Sequence, residues 1–140
     1  MISIPTQQIL LIEDNADYRW ELACCLETSL SNCQIVTLSE NEQALAWLSY
    51  APIQPDLILW SVDMMLRDNF QQIVAIRNNS VCKYVPIVGL ADYCNEEWIL
   101  RCYRMGVKAY VVKPHSKGEC LALERIIESF QPITTRPTYV

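Results

Sequence analysis

Ile9-Leu10-Leu11-Ile12-Glu13-Asp14-Asn15 is the stretch that sets the reading of this chain. Four consecutive apolar residues suit a strand whose sheet is covered on both faces, because an open face would demand apolar/polar alternation. The run stops at two acids and an asparagine, and Asn15 or Asp17 suits the N-cap of a following helix. From about Asp17 to Leu30, the residues Leu22, Leu26 and Leu30 recur at every fourth position, one core-facing stripe. A buried strand leading straight into an amphipathic helix predicts a parallel sheet with crossover helices.

The alternation continues outward from there. Gln34-Ile35-Val36-Thr37-Leu38 reads as a second strand, followed by a helix holding Ala44, Leu45, Trp47 and Leu48. Ser39 is expected to cap that helix, with Glu42 as its capping-box partner. Pro52 and Pro55 punctuate the chain before a third strand, Leu57-Ile58-Leu59-Trp60. A third helix is predicted from about Asn69 through Ile73 and Ile76 to Arg77, ended by Asn78-Asn79-Ser80. Val85-Pro86-Ile87-Val88-Gly89-Leu90 forms a fourth strand, with Pro86 at its start, where a missing N–H is tolerable. A fourth helix spans about Asn95 to Met105 and stops at Gly106, a good left-handed terminator. Tyr110-Val111-Val112 makes a fifth strand, and a last helix covers about Lys117 to Phe130. Five β-α units without repeat or linker give one α/β domain over residues 1–130. Residues 131–140 are a C-terminal tail not expected to fold on its own.

Composition narrows the function. A chain of 140 residues with 51% hydrophobic content can bury a proper core. A net charge of -5 and a pI near 4.8, with Lys and Arg scattered, argue against a nucleic-acid surface, which needs a basic stripe. No segment approaches the ~18 consecutive apolar residues of a membrane span. Met1-Ile2-Ser3-Ile4-Pro5-Thr6 has no secretory-signal character, so a cytoplasmic protein is expected. The seven cysteines, Cys24, Cys25, Cys33, Cys82, Cys94, Cys102 and Cys120, contain no C-x-x-C pair. They read mainly as small buried hydrophobes, with an oxidation sensor as a minor alternative. His115 reads as a loop residue.

Doubly wound sheets bind ligands beyond the carboxyl ends of their strands. The residues there are Glu13-Asp14, Ser61-Val62-Asp63, Ala91-Asp92 and Lys113-Pro114. In order and spacing these four strand ends resemble the receiver domain of two-component response regulators. The likeness rests on Ile9 to Asn15, on Pro55-Asp56-Leu57-Ile58-Leu59-Trp60, on Val85 to Leu90, and on Met105-Gly106-Val107-Lys108-Ala109-Tyr110-Val111-Val112-Lys113-Pro114. It implies a flavodoxin-like (CheY-like) fold, with a five-stranded parallel sheet in order 2-1-3-4-5, five helices, and Lys113 near Asp14 at the pocket. A narrower likeness, in Asn78 to Pro86 and Ile127-Glu128-Ser129-Phe130, points to the single-domain regulators paired with bacterial phytochromes.

In that family two acids and an acceptor aspartate hold Mg²⁺, and the acceptor carboxylate is the nucleophile. A lysine meets the phosphoryl oxygens, a Ser/Thr hydroxyl turns toward them, and an aromatic on the fifth strand follows that hydroxyl. Carried over by position, Glu13 and Asp14 are the acidic pair, Lys113 is the lysine, and Tyr110 is the aromatic. Lys113-Pro114 is a candidate cis peptide. Two positions break the pattern: Ser61 stands at the acceptor and Ala91 at the hydroxyl position. Met65 in place of proline and Asn69 in place of glycine are milder departures. A serine without a base is a poor nucleophile, and Ala91 has no donor.

The resemblance therefore implies a pseudo-receiver. It is not an enzyme and requires no cofactor. Mg²⁺ binds at most weakly at Glu13, Asp14 and Asp63, because one carboxylate ligand is gone. The expected role is phosphorylation-independent contact with a sensor kinase or another signalling protein, or homodimerisation through the family's helix 4–strand 5–helix 5 face. Trp98, Ile99, Tyr103 and Tyr110 are the expected surface residues, since the fourth helix carries more apolar groups than one buried stripe uses. The alternative is a working receiver with an unusual acceptor, Asp63 or Ser61.

Overall fold

The computed structural model describes residues 6–130. Five strands, β1 (Gln7–Ile12), β2 (Cys33–Leu38), β3 (Leu57–Ser61), β4 (Ile87–Ala91) and β5 (Ala109–Val112), form one parallel sheet. Their order is β2-β1-β3-β4-β5, as expected. Six helices connect and flank them: α1 (Ala16–Ser29), α2 (Glu42–Tyr50), α3 (Val62–Arg67), α4 (Gln71–Arg77), α5 (Glu96–Arg104) and α6 (Lys117–Glu128).

The unbroken apolar runs are explained by two separate cores. Side chains alternate across a strand, so Ile9 and Leu11 of β1 pack with Leu57 and Leu59 of β3 on one face, while Leu10, Ile12, Ile58 and Trp60 pack on the other. The first face is covered by Leu22 and Leu26 of α1 and by Cys120, Leu123 and Ile127 of α6. The second is covered by Ala44 and Leu48, Val62, Met64 and Met65, Ile73 and Ile76, and Cys102, from α2, α3, α4 and α5 in turn. The central strands β3 and β4 are buried throughout, whereas the edge strands β2 and β5 are only partly covered. Gly89 lies where α3 comes closest to β4: a Cβ there would sit 2.8 Å from Val62 Cγ2.

Several local expectations are corrected. The helices number six among the described residues rather than five, because Val62–Arg67 forms its own turn of helix directly after β3. It ends where Asn69 and Phe70 both take left-handed conformations, with φ of 55° and 61°. Such a pair breaks a right-handed helix, so the predicted start at Asn69 moves to Gln71. Ser39 does not cap α2. Asn41 occupies that position without a capping bond, its side chain being used elsewhere, and Gln43 Oε1 accepts from the Ser39 and Glu40 amides at 3.2 Å each. No described peptide bond is cis, so Lys113-Pro114 keeps the trans geometry that even X–Pro bonds prefer. Asn15, not Asp17, caps α1, accepting from the Tyr18 amide at 2.9 Å. The tail beyond residue 130 lies outside the described residues.

Candidate functional site

The carboxyl ends of β1, β3, β4 and β5 bring Glu13, Ser61, Ala91 and Lys113 to one end of the sheet. Lys113 is anchored by its amide, which donates to the Ala91 carbonyl at 2.7 Å. Its ammonium lies 2.7 Å from Glu13 Oε1, and the two side chains are only 8% and 2% exposed. Glu13 Oε2 accepts from the Asn15 amide at 3.0 Å, which ties the acid to the start of α1. Asp92 is a more distant, exposed partner, 3.5 Å from Lys113. Tyr18 roofs the pair: its ring centroid is 5.4 Å from the ammonium and its hydroxyl donates to the Pro114 carbonyl at 2.9 Å. Lys113 thus sits at the pocket on Glu13, the neighbour of Asp14, while Asp14 itself takes another cation.

That cation is Arg67, which the sequence reading did not single out. One guanidinium nitrogen lies 2.7 Å from Asp14 Oδ2, and the other 2.7 Å from Asp63 Oδ2. Partial burial pushes the Asp14 carboxyl up, but the Arg67 hydrogen bond and charge outweigh it and hold the group below its ordinary value. The Asp63–Arg67 spacing of four residues was the available signal, since such pairs meet on a helix.

Ser61 closes β3 and is 1% exposed; it occupies the N-cap position of α3 without making a capping bond. Ala91 closes β4 and is equally buried. Neither supplies charge. The residue before Ser61 is held firmly: the Trp60 indole N–H donates to Asn41 Oδ1 at 2.9 Å, and Asn41 Nδ2 donates to the Met64 carbonyl at 2.7 Å. This buried bridge pins β3 to α3 and to the start of α2.

A divalent cation of the receiver type needs a set of free carboxylate oxygens. Here Glu13 is engaged by Lys113, Asp14 and Asp63 are engaged by Arg67, and the third position is a neutral serine. Among the described residues no three acidic, His or Cys side chains are grouped to hold a metal ion. The residues as arranged offer a divalent ion a weaker site than three free carboxylates would.

Tyr110 is half-buried, and its hydroxyl donates to the Tyr93 carbonyl at 2.8 Å; burial pushes its phenol up to about 12. Of the other expected surface residues, Tyr103 is exposed, while Trp98 and Ile99 are half-buried. Trp98 packs on the core and against the Tyr93 ring, 5.1 Å between centroids. The exposed apolar groups of this region are Tyr93, Leu100, Tyr103 and Val112. Cys82, Cys102 and Cys120 are buried. Burial pushes the Cys33 and Cys102 thiols up to about 11 and Cys120 to about 12, which makes them poor nucleophiles. His115 is an exposed loop residue whose ring lies tilted against that of Tyr18, with centroids 5.3 Å apart.

Comparison with known proteins agrees with this fold. Response regulator Rcp1 of Synechocystis sp. is 29% identical over 135 residues, covering 91% of this chain and 90% of that protein. The crystal structure of the phosphorylated cyanobacterial phytochrome response regulator RcpA superposes with a TM-score of 0.74 at 25% identity, over 92% of this chain and 96% of that one. The chemotaxis response regulator CheY4 of Vibrio cholerae shares the fold, with a TM-score of 0.72 at 22% identity, over 87% of this chain and 98% of that one. The model of the response regulator receiver domain matches residues 9–124. With the sheet order, the acidic pair and the Lys113 position all in place, the chain belongs to the response regulator receiver domain family of two-component signalling.

Proposed function

We propose that this receiver is degenerate and signals through protein contacts that do not depend on phosphorylation. The observation that carries the reading is the buried, neutral Ser61 at the end of β3, where the family's nucleophile stands. A serine hydroxyl needs a neighbouring base to become nucleophilic. Of the acids at this end of the sheet, Glu13 is already engaged by Lys113, and Asp14 and Asp63 by Arg67. Ala91 removes the hydroxyl that would report a bound phosphoryl group, and Tyr110 is bonded to the Tyr93 carbonyl. The protein acts in the cytoplasm without enzymatic activity and without a required metal. Its partner is a sensor kinase or another signalling protein, or a second copy, met over α5, β5 and α6. Exposed Leu100 and Tyr103 support that face.

Incubation with acetyl phosphate and Mg²⁺, followed by intact mass, tests the reading. No phosphoryl adduct is expected. An adduct abolished by Asp63→Asn would establish Asp63 as a displaced acceptor, and one abolished by Ser61→Ala would establish the serine. Either result overturns the proposal.

A further inference from the structure

The carboxylates at this end of the sheet are not left waiting for a metal; each already meets a cationic side chain of the chain itself. Lys113 serves Glu13 and, at longer range, Asp92. Arg67 reaches from the last turn of α3 to two carboxylates at once, Asp14 after β1 and Asp63 in the first turn of α3. A guanidinium suits this task, because its planar fork presents donors to two oxygens in fixed directions. It bridges the β1–α1 and β3–α3 junctions, the same two segments that the acidic pair and the acceptor of a metal-binding receiver would join. We propose that Arg67 is a resident cation that occupies the place beside Asp14 where the divalent ion would bind, and so competes with that ion for Asp14.

The inference rests on the degenerate-receiver reading and deepens it. Restoring an acidic side chain at position 61 then supplies a missing ligand but leaves Asp14 occupied. A metal arriving at Asp14 Oδ2 must displace the guanidinium from the oxygen it contacts at 2.7 Å. It must do so with Asp63 holding the other guanidinium nitrogen in place. Arg67 is 55% exposed, so its replacement removes no core packing.

Mn²⁺ titration of the full chain, followed by electron paramagnetic resonance of the free ion and by calorimetry, tests the proposal. Four proteins are compared: wild type, Arg67→Met, Ser61→Asp/Ala91→Thr, and the triple variant joining these changes. Losing two exposed charge-assisted contacts should tighten Mn²⁺ binding by about tenfold in either background. The triple variant should bind most tightly. Arg67→Gln, which keeps a polar side chain without charge, should behave like Arg67→Met. Equal Mn²⁺ affinity with and without Arg67, in both backgrounds, would overturn the proposal. So would wild-type binding as tight as that of the triple variant. Because the readout is ion binding, it stays separate from the phosphoryl-adduct test: a protein that gains an adduct on Asp63 could still show Arg67 competing with the metal, and the reverse.

Discussion

The sharpest perturbation of this molecule is Lys113→Met. Lys113 and Glu13 face each other at 2.7 Å with side chains 8% and 2% exposed. At an effective dielectric constant of ~20, charges at that distance attract with about 6 kcal/mol before desolvation is counted. Desolvation offsets most of that attraction, so the pair as a whole adds little net stability. Removing one partner alone is a different matter. It strands a buried carboxylate, and the expected loss is about 3–5 kcal/mol. Against a typical total of about 5–15 kcal/mol that is a large fraction, and for a chain of this size it lowers Tm by about 10–20 °C. Asp92, being exposed, makes no difference on this scale. Urea unfolding followed by tryptophan fluorescence, to which buried Trp60 contributes, measures it. The double variant Glu13→Gln/Lys113→Met removes both charges and should recover most of the loss. A cost under about 1 kcal/mol for Lys113→Met, well below the usual cost of breaking a buried pair, would refute the stranded charge. The reasoning also fails if the double variant is no more stable than the single one.

Three further outcomes are expected. Gly89→Ala should cost about 1–3 kcal/mol by overpacking, because its Cβ would meet Val62 Cγ2 at 2.8 Å, and Val62→Ala in the same chain should relieve it; urea midpoints decide. Asp14 titrates below the ordinary carboxylate value of 3.8 in the fold, so its contribution is present above that value and is lost as the pH falls through the lower folded one. Asp14→Asn should therefore flatten the acid limb of stability, measured as urea midpoint against pH. Tyr103→Glu and Leu100→Glu should weaken self-association or partner binding by about 2 kcal/mol if these are buried anchors, while Tm stays unchanged. Trp98→Glu should lower Tm instead, since Trp98 packs on the core; sedimentation and thermal melts together separate the two.

Much of this architecture was legible because the sequence pattern and the burial pattern are the same fact. The runs at β1, β3 and β4 are apolar without alternation because each alternate residue enters one of two cores. The strand ends followed from topology, which is why Glu13, Asp14, Ser61, Ala91 and Lys113 could be placed in advance. The short helix α3 was not legible, because six residues of mostly apolar sequence carry no measurable period. The capping of α2 was misread because Asn41 serves Trp60 and Met64, contacts 19 and 23 residues away that no local rule sees. Arg67 was overlooked although Asp63 stands four residues before it, and its second partner, Asp14, is 53 residues distant. In α5 an excess of apolar residues was visible, but not which of them turned inward. Tyr93, from the preceding loop, shares the cover over Trp98 and leaves Leu100 and Tyr103 outside.

The departures from the receiver pattern form a connected set. A receiver that transmits phosphorylation needs a nucleophile, a hydroxyl to sense the product, an aromatic free to follow it, and a metal to balance charge. On the proposed reading, Ser61 and Ala91 remove the first two. Tyr110 is bonded to the Tyr93 carbonyl, and Tyr93 in turn packs against Trp98 on α5. The loop after β4, the fifth strand and the start of α5 are thus joined by contacts internal to the protein. Lys113 and Arg67 meanwhile pair with the carboxylates from within. Ser61→Asp alone therefore restores one ligand to a site whose carboxylates already have cationic partners and whose reporting groups are already joined to each other. A ligand shifts a conformational equilibrium only by its differential affinity for the two states. With the sensing hydroxyl absent, a phosphoryl group would have little with which to tell them apart. That supports a surface over α5 and β5 set by packing, and it places the useful mutations there rather than at the acceptor position.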